Sequence, residues 1–252
     1  PQNAPAPTSP IKVSSLSPLP DSSHLTLPGS VTAIFDRELD ASSVTSASFI
    51  LDRSGGDGAF GDGNEVVIAV TPTVPLANPA TATLDLGAAA SIADTYRVRL
   101  VGTGGAPILD LDANALDGEF SGTFPSGNGT QGGDFEATFE VVELQPTLQS
   151  IQDNLFSVTC SNSGCHSGPA GDTLPSGLDL TSANASFANL VGVASLQTPA
   201  LERVTPGDPD ASYLIQKLEG TGAMERMPFG GPYLEQATID VIRQWITDGA
   251  NQ

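Results

Sequence analysis

The stretch "TCSNSGCH", residues 159–166, holds both cysteines of the chain and one of its two histidines. Two cysteines in 252 residues exclude a disulfide-rich scaffold, because such folds depend on several bridges. Two thiols and an imidazole within seven positions instead indicate a dedicated site formed by Cys160, Cys165 and His166.

A cysteine pair followed directly by histidine is compatible with three kinds of site. The first is covalent haem, in which both thiols bond to the haem vinyl groups and the histidine ligates iron, usually in the spacing Cys-x-x-Cys-His. Here four residues separate Cys160 from Cys165, so the loop must bulge, and Gly164 makes a bulge easier. The second is a structural disulfide, with His166 incidental. The third is a metal site or free thiols; zinc would need four ligands, and His24 lies far away in the chain.

Both methionines of the chain lie in "GAMERMPFGG", residues 222–231. Methionine is a common second axial ligand of haem iron in electron carriers, where it raises the reduction potential. The ordinary role of methionine is to fill gaps in a core, which favours helices over a loop rich in glycine and proline. Met227 is the better ligand candidate because Pro228 stiffens the backbone beside it, and Met224 is the alternative.

Residues 143–252 predict a small all-α domain. In "TLQSIQDNLFSVTC", residues 147–160, apolar side chains recur at helical spacing, and Ser150 can cap the helix. "SANASFANLVG", residues 182–192, predicts a short turn of helix.

Two further helices follow in the same domain. "DPDASYLIQKLEG", residues 208–220, predicts a helix that Asp208 caps and Gly220 ends. "LEQATIDVIRQWITDGA", residues 234–250, predicts another, whose buried face comprises Ile239, Ile242, Ile246 and, beside them, Trp245.

Residues 11–142 predict an all-β domain without helical periodicity. Short apolar or alternating segments, such as "VTAIF", "SFILD" and "YRVRLVG", recur between clusters of Gly, Pro, Asp and Asn. This spacing predicts a sandwich of antiparallel strands. The preceding residues, 1–10, are rich in proline and are interpreted as a tether.

An acidic stretch of the β domain suggests calcium, because oxygen-bearing side chains alternate there as in a calcium loop: Asp110, Asp112, Asn114 and Asp117. Ala115 stands where an EF-hand needs glycine, so that motif fails. The alternative is turn chemistry, in which short polar side chains bond to the local backbone. A bound Ca²⁺ therefore stays an open expectation.

The charge of the chain is strongly negative, with 9 Lys and Arg against 29 Asp and Glu and a net charge of −20. Nucleic acids and anionic membrane surfaces are therefore unexpected partners, because both need clustered cations. A basic protein partner would suit this charge. No apolar run reaches the roughly eighteen residues of a membrane span.

The last hundred or so residues resemble the monohaem c-type cytochrome domains of bacterial secreted and envelope proteins. The matching segments are, in order, "SIQDNLFSVTCSNSGCH", "SGLDLTS", "RVTPGDPDASYLIQKLEG", "RMPFGGPYL" and "IDVIRQWITDGA". Members with a longer Cys–Cys loop ending in Gly-Cys-His look like this chain. The resemblance implies that Cys160 and Cys165 carry one haem c, that His166 and Met227 are the iron ligands, and that the first and last helices pack together beside the haem.

Residues 11–142 resemble a bacterial Ig-like domain, through "VTAIFDRELDASSVTSASFILD", "DTYRVRLVG" and "ILDLDANALDGEF". Such domains serve as spacers, adhesion modules or docking platforms. The expected architecture is therefore an N-terminal all-β Ig-like sandwich, residues 11–142, followed by a small all-α cytochrome c domain, residues 143–252.

The expected function is single-electron transfer by an extracytoplasmic cytochrome, because haem attachment of this type takes place outside the cytoplasm. Its partners would be redox proteins that are basic at the contact face. One alternative is a structural, filament or adhesion subunit whose haem domains assemble as a homo-oligomer or within a larger electron-conducting envelope complex. A peroxidase-like enzyme is a further alternative, and it would need an open iron position with acid–base groups nearby. The favoured expectation is an electron carrier and not an enzyme.

Overall fold

A computed structural model of the chain describes residues 9–87, 89–162, 164–168 and 177–252. Most of the predicted tether therefore lies outside the described residues, as does Ser163 of the Cys–Cys loop. The chain divides into two compact units, of which the first ends at Val142 and the second begins at Glu143.

The described part of the first unit is built from strands β1 (Val13–Ser17), β2 (Ser23–His24), β3 (Ser30–Phe35), β4 (Phe49–Arg53), β5 (Val66–Val67), β6 (Thr81–Asp85), β7 (Asp94–Leu100) and β8 (Phe135–Val141). One sheet has the strand order β1-β3-β6, and the other has the order β2-β8-β7-β4-β5. Neighbouring strands pair antiparallel except β2 with β8. The predicted all-β character of residues 11–142 is thereby confirmed.

Strict alternation along β7 and β8 explains how the larger sheet builds its inner face. Tyr96, Val98 and Leu100 are buried on β7, and every second residue of β8 from Phe135 to Val141 is buried as well. Successive side chains of a strand point to opposite faces, so this pattern buries one face of the sheet. Both sheets contribute to one apolar core, in which the Tyr96 ring stacks on its register partner Phe139 with ring centroids 5.3 Å apart.

The acidic stretch proposed for calcium forms local turns. The Asp110 carboxylate accepts hydrogen bonds from the backbone N–H groups of Asp112 and Asn114 at 2.9 and 2.8 Å. Asp117 accepts from the backbone N–H groups of Asn128 and Gly129, each at 2.8 Å. Within the described residues, no group of three or more His, Cys, Asp or Glu side chains is placed to hold a metal ion. Asp110 is thus engaged as the turn alternative expects, whereas Asp117 bonds to a loop farther along the chain. The structure adds no support for calcium.

The second unit contains the helices α1 (Leu148–Ile151), α2 (Ala183–Leu190), α3 (Tyr213–Glu219) and α4 (Gln236–Thr247), with a π-helical segment, Gln152–Cys160, directly after α1. The helix ends differ in part from the sequence expectation. Thr147, and not Ser150, caps α1, since its side chain accepts from the Ser150 N–H at 3.3 Å.

Helix α3 also starts later than expected. The Asp208 carboxylate accepts from the Ala211 N–H at 3.0 Å and so stabilises a turn ahead of the helix. Ser212 is the N-cap residue, and the helix begins at Tyr213. Its predicted end is confirmed, because Gly220 takes the left-handed conformation with φ of 76°, which glycine adopts without strain.

The core of the second unit includes the predicted stripe of α4, since Ile239, Ile242, Trp245 and Ile246 are all buried. Helix α4 approaches α3 closely, and α1 approaches α2. The first and last helices, expected to pack together, are not among the most extensive pairs. A buried amide explains the position of the first helix: Gln152 accepts from the Ser186 hydroxyl of α2 at 2.6 Å and donates to the Leu180 carbonyl at 2.9 Å.

None of the described helices combines the length and the apolar character that crossing a membrane requires.

Candidate functional site

The second unit encloses a cavity of about 620 Å³. This volume lies within the roughly 300–1,000 Å³ of typical cofactor and small-molecule sites. The lining is mainly apolar and includes Leu155, Phe156, Val158, Leu178, Leu180, Leu190, Leu214, Leu218, Phe229 and Leu234. Every residue that lines the cavity belongs to the second unit.

All four residues predicted to bind haem line this cavity: Cys160, Cys165, His166 and Met227. Met224, the alternative ligand, is 67% exposed and is not among the lining residues. His24 lies on β2 in the first unit, where the sequence predicts a strand-edge residue, and its ring packs against Phe139. The fold therefore collects the residues of the Cys–Cys–His stretch and one of the two methionines at one cavity.

The loop between the cysteines is held closed by backbone hydrogen bonds. The π-helical segment ends at Cys160, whose carbonyl oxygen accepts from the His166 N–H at 3.1 Å. Inside the loop the Cys165 N–H donates to the Asn162 carbonyl at 2.9 Å, and Gly164 has a φ of 85°. Gly164 thus supplies the left-handed backbone that the longer loop requires. π-helical turns are rare and are frequently found at functional sites.

Both cysteines are free thiols, so the disulfide interpretation has no support in the structure. Cys160 is half-buried and Cys165 is exposed. Burial, together with the neighbouring Cys165, raises the pKa of the Cys160 thiol to about 12.

His166 is placed as a neutral imidazole at the cavity wall. Burial lowers its pKa, the backbone of Leu178 partly offsets this effect, and the charge of Arg203 lowers the pKa further. The neutral form is the one that ligates metals. The ring Nδ1 is buried and has no hydrogen-bond partner of ordinary geometry, which is costly for a polar atom. Ligand histidines commonly use their second nitrogen to bond a nearby carbonyl.

Helix α3 positions the methionine loop. The Met227 N–H donates to the Lys217 carbonyl at 2.9 Å, and the Arg226 Nε donates to the Leu218 carbonyl at 2.8 Å. The Tyr213 hydroxyl donates to the Ala223 carbonyl at 2.7 Å. These bonds hold one side of the loop against α3 and place Met227 at the cavity wall.

Two cations, Arg203 and Lys217, also line the cavity, and the sequence reasoning missed them. Each is only 7% exposed. The Arg203 Nη1 donates to the Asn189 carbonyl at 2.8 Å, and Lys217 donates from Nζ to the Glu225 carbonyl. A sequence signal for Lys217 exists, because it lies four residues after Tyr213 on the predicted helix, and residues at that spacing share a helix face.

The first unit has a clear family match. Residues 7–124 match the Big_5 model, which describes a bacterial Ig-like domain. The first unit carries a bacterial Ig-like domain. Strand β8, which completes the larger sheet of this Ig-like unit, lies beyond the matched residues.

Several solved structures are similar to about half of the chain. PcoC, a methionine-rich copper resistance protein from Escherichia coli, is 16% identical over 52% of this chain and 97% of its own, with a TM-score of 0.32. CopC from Methylosinus trichosporium OB3b is 16% identical over 53% of this chain and 94% of its own, with a TM-score of 0.32. Domains 1–6 of the surface layer protein SbsC are 17% identical over 52% of this chain and 14% of that chain, with a TM-score of 0.31.

These likenesses are too distant to transfer a copper site or an assembly function to this chain. Comparison with curated proteins gave no match.

Proposed function

We propose that the second unit is a monohaem c-type cytochrome domain and that the chain is an extracytoplasmic electron carrier. The observation that supports this best is the joint position of Cys160, Cys165, His166 and Met227 on one apolar cavity. Met227 lies far from the other three residues in the sequence, so its position at the same cavity is a property of the fold.

The residues present fit a covalently held haem. Cys160 and Cys165 would attach it, each thiol adding its S–H across a vinyl group without a leaving group. His166 and Met227 would supply the two protein ligands of the iron. The volume of about 620 Å³ and the apolar lining suit a large flat ring, and the neutral imidazole of His166 suits a ligand.

A bound haem would supply reversible one-electron chemistry at its iron. Two protein ligands, His166 and Met227, would leave no position for a substrate, so the chain would exchange electrons without binding one. Leucine and phenylalanine side chains would keep water from the iron, and a thioether ligand raises the reduction potential. The described lining includes no Asp or Glu that could serve as an acid or base, which disfavours a peroxidase-like enzyme.

The net charge of −20 favours a redox partner that is basic at its contact face, since opposite charges steer association. The Ig-like domain would provide a surface for docking or assembly. Covalent haem attachment outside the cytoplasm would place the protein in the periplasm, on the outer surface or in the medium.

A pair of methionine variants tests the iron ligation. Met227→Ala should lower the reduction potential and remove the weak long-wavelength Met–iron band while the haem stays attached. Met224→Ala is the matched control, because Met224 is exposed and lies off the cavity. A Met227→Ala protein with unchanged spectrum and potential would show that Met227 is not the ligand.

A further inference from the structure

Lys217 is a buried cation that lines the cavity. The proposed roles of Cys160, Cys165, His166 and Met227 do not explain why a positive charge is buried there. Its Nζ donates to the Glu225 carbonyl, which is a neutral acceptor. Its ammonium group lies 6.0 Å from the centroid of the Tyr213 ring. Among the described residues, no carboxylate lies within ion-pair distance of Lys217, and Glu225 acts on it only from farther away.

A buried ammonium without an anionic partner costs free energy, because the interior replaces water poorly around a charge. The described lining contains no carboxylate. One part of an otherwise apolar cavity is therefore positively charged, which suits a ligand that is apolar over most of its surface and carries a carboxylate.

We propose that Lys217 binds a carboxylate of the group held in the cavity, and that this carboxylate is a haem propionate. The inference rests on the proposed function, because it assumes that haem occupies the cavity. Lys217 would act as a positioning residue with two roles. Its ammonium would orient the haem through the propionate, while its carbonyl oxygen holds the Met227 N–H at 2.9 Å.

The test uses the purified full chain with its haem attached and compares four proteins. Lys217→Gln removes the charge and keeps a donor for the Glu225 carbonyl, and Lys217→Arg keeps the charge. Arg243→Gln is the matched control, since it removes one positive charge from α4 of the same unit, away from the cavity lining. The readouts are the propionate bending bands in the resonance Raman spectrum, the Met–iron absorption band and the reduction potential.

The proposal predicts that Lys217→Gln shifts the propionate bands and lowers the reduction potential, with the low-spin spectrum retained. Lys217→Arg should restore the potential, and Arg243→Gln should leave the propionate bands where they are. Unchanged propionate bands in Lys217→Gln would overturn the proposal. Loss of the Met–iron band without a shift of the propionate bands would also overturn it, because Lys217 would then act only on the methionine loop.

If Lys217→Gln fails to retain haem, the Lys217→Arg variant, which keeps the positive charge, tests the proposal. Retention of haem with a native spectrum in Lys217→Arg supports the proposal, and failure of both variants overturns it. A wild-type protein without covalent haem would refute the proposed function itself. If haem is attached but the propionate bands are the same in Lys217→Gln as in the wild type, only the role of Lys217 is refuted.

Discussion

The two units fill their interiors differently. In the Ig-like unit, side chains from both sheets close a continuous apolar core, and Tyr96 and Phe139 stack at its centre. In the second unit, buried apolar residues such as Leu155, Leu180 and Leu190 also form the wall of a cavity of about 620 Å³. Protein interiors are normally packed as densely as organic crystals. An empty cavity lacks such packing contacts, so we expect the second unit to reach its full stability only when a ligand fills its cavity.

The largest expected effect is on the second unit when haem cannot be attached. In the double variant Cys160→Ser, Cys165→Ser, the unfolding free energy of the second unit should fall by about 3–5 kcal/mol or more, which is the typical cost of removing one large side chain from a packed interior. Trp245 is the single tryptophan of the chain and is buried in α4, so its fluorescence in a denaturant titration reports this unit.

Ser161→Ala, in the same loop, is the control and should leave both haem and stability in place. An unchanged Trp245 transition in the haem-free double variant would contradict the claim that the stability of the second unit depends on a bound ligand. Both units would then be stable without one.

The second effect should be confined to the Ig-like unit. Phe139→Ala removes a ring that is 1% exposed and stacked on Tyr96, so the unfolding free energy of this unit should fall by about 3–5 kcal/mol. Far-UV circular dichroism during denaturant unfolding measures the loss. Leu111→Ala, at a side chain that is 67% exposed, should change little.

The haem spectrum and the Trp245 transition should be the same in Phe139→Ala as in the wild type. A changed haem spectrum or a shifted Trp245 transition in Phe139→Ala would contradict the view that the two units have separate cores.

The smallest of the three effects concerns acid stability of the Ig-like unit. Burial raises the pKa of Asp110, but hydrogen bonds from Asn114 and Asp112 and the charge of Arg37 lower it more, so this pKa lies below the ordinary value of an aspartate. A folded-state pKa below the unfolded one gives stability that is present above the unfolded pKa and is lost as the pH falls through the folded pKa. The Ig-like unit should therefore become less stable below about pH 4.

Asp110→Asn should destabilise this unit at pH 7 by roughly 1–3 kcal/mol and reduce the change between pH 7 and pH 3. Denaturant midpoints at both pH values measure this. Asp112→Asn is the control, because its side chain is exposed in the same loop. A pH dependence in Asp110→Asn equal to that of the wild type would show that Asp110 does not carry the effect.

The sequence predicts some features of each unit because a local pattern decides them. The buried stripe of α4 follows from apolar residues at helical spacing, and the end of α3 follows from Gly220, which alone in "QKLEG" adopts a positive φ without strain. The strands of the Ig-like unit follow from alternation and from the turn residues between them.

Other features could not be predicted, because two groups of the same chemistry could fill the same role. Thr147 and Ser150 both offer a hydroxyl, and Thr147 caps α1 because burial of Leu148 and Ile151 sets where the helix begins. The sequence allows Asp110 to bind either a cation or the backbone of its own turn, and in the structure its carboxylate accepts from the backbone N–H groups of Asp112 and Asn114.

The cavity itself was predicted only through its conspicuous residues. Two cysteines, a histidine and a methionine carry a recognisable chemistry, so the sequence singles them out. Lys217 and Arg203 are ordinary cations in the sequence, and only the packing of α3 and its neighbours shows that they are buried at the same cavity.

The most direct test of the central claim is an absorption spectrum of the purified full chain, oxidised and then reduced, with haem retention checked after denaturation. The proposed His166 and Met227 ligation predicts haem that stays on the chain, a low-spin reduced spectrum and the weak long-wavelength Met–iron band. A chain without covalent haem, with Cys160 and Cys165 joined as a disulfide, would contradict the proposal, and a high-spin spectrum would contradict the ligation by Met227.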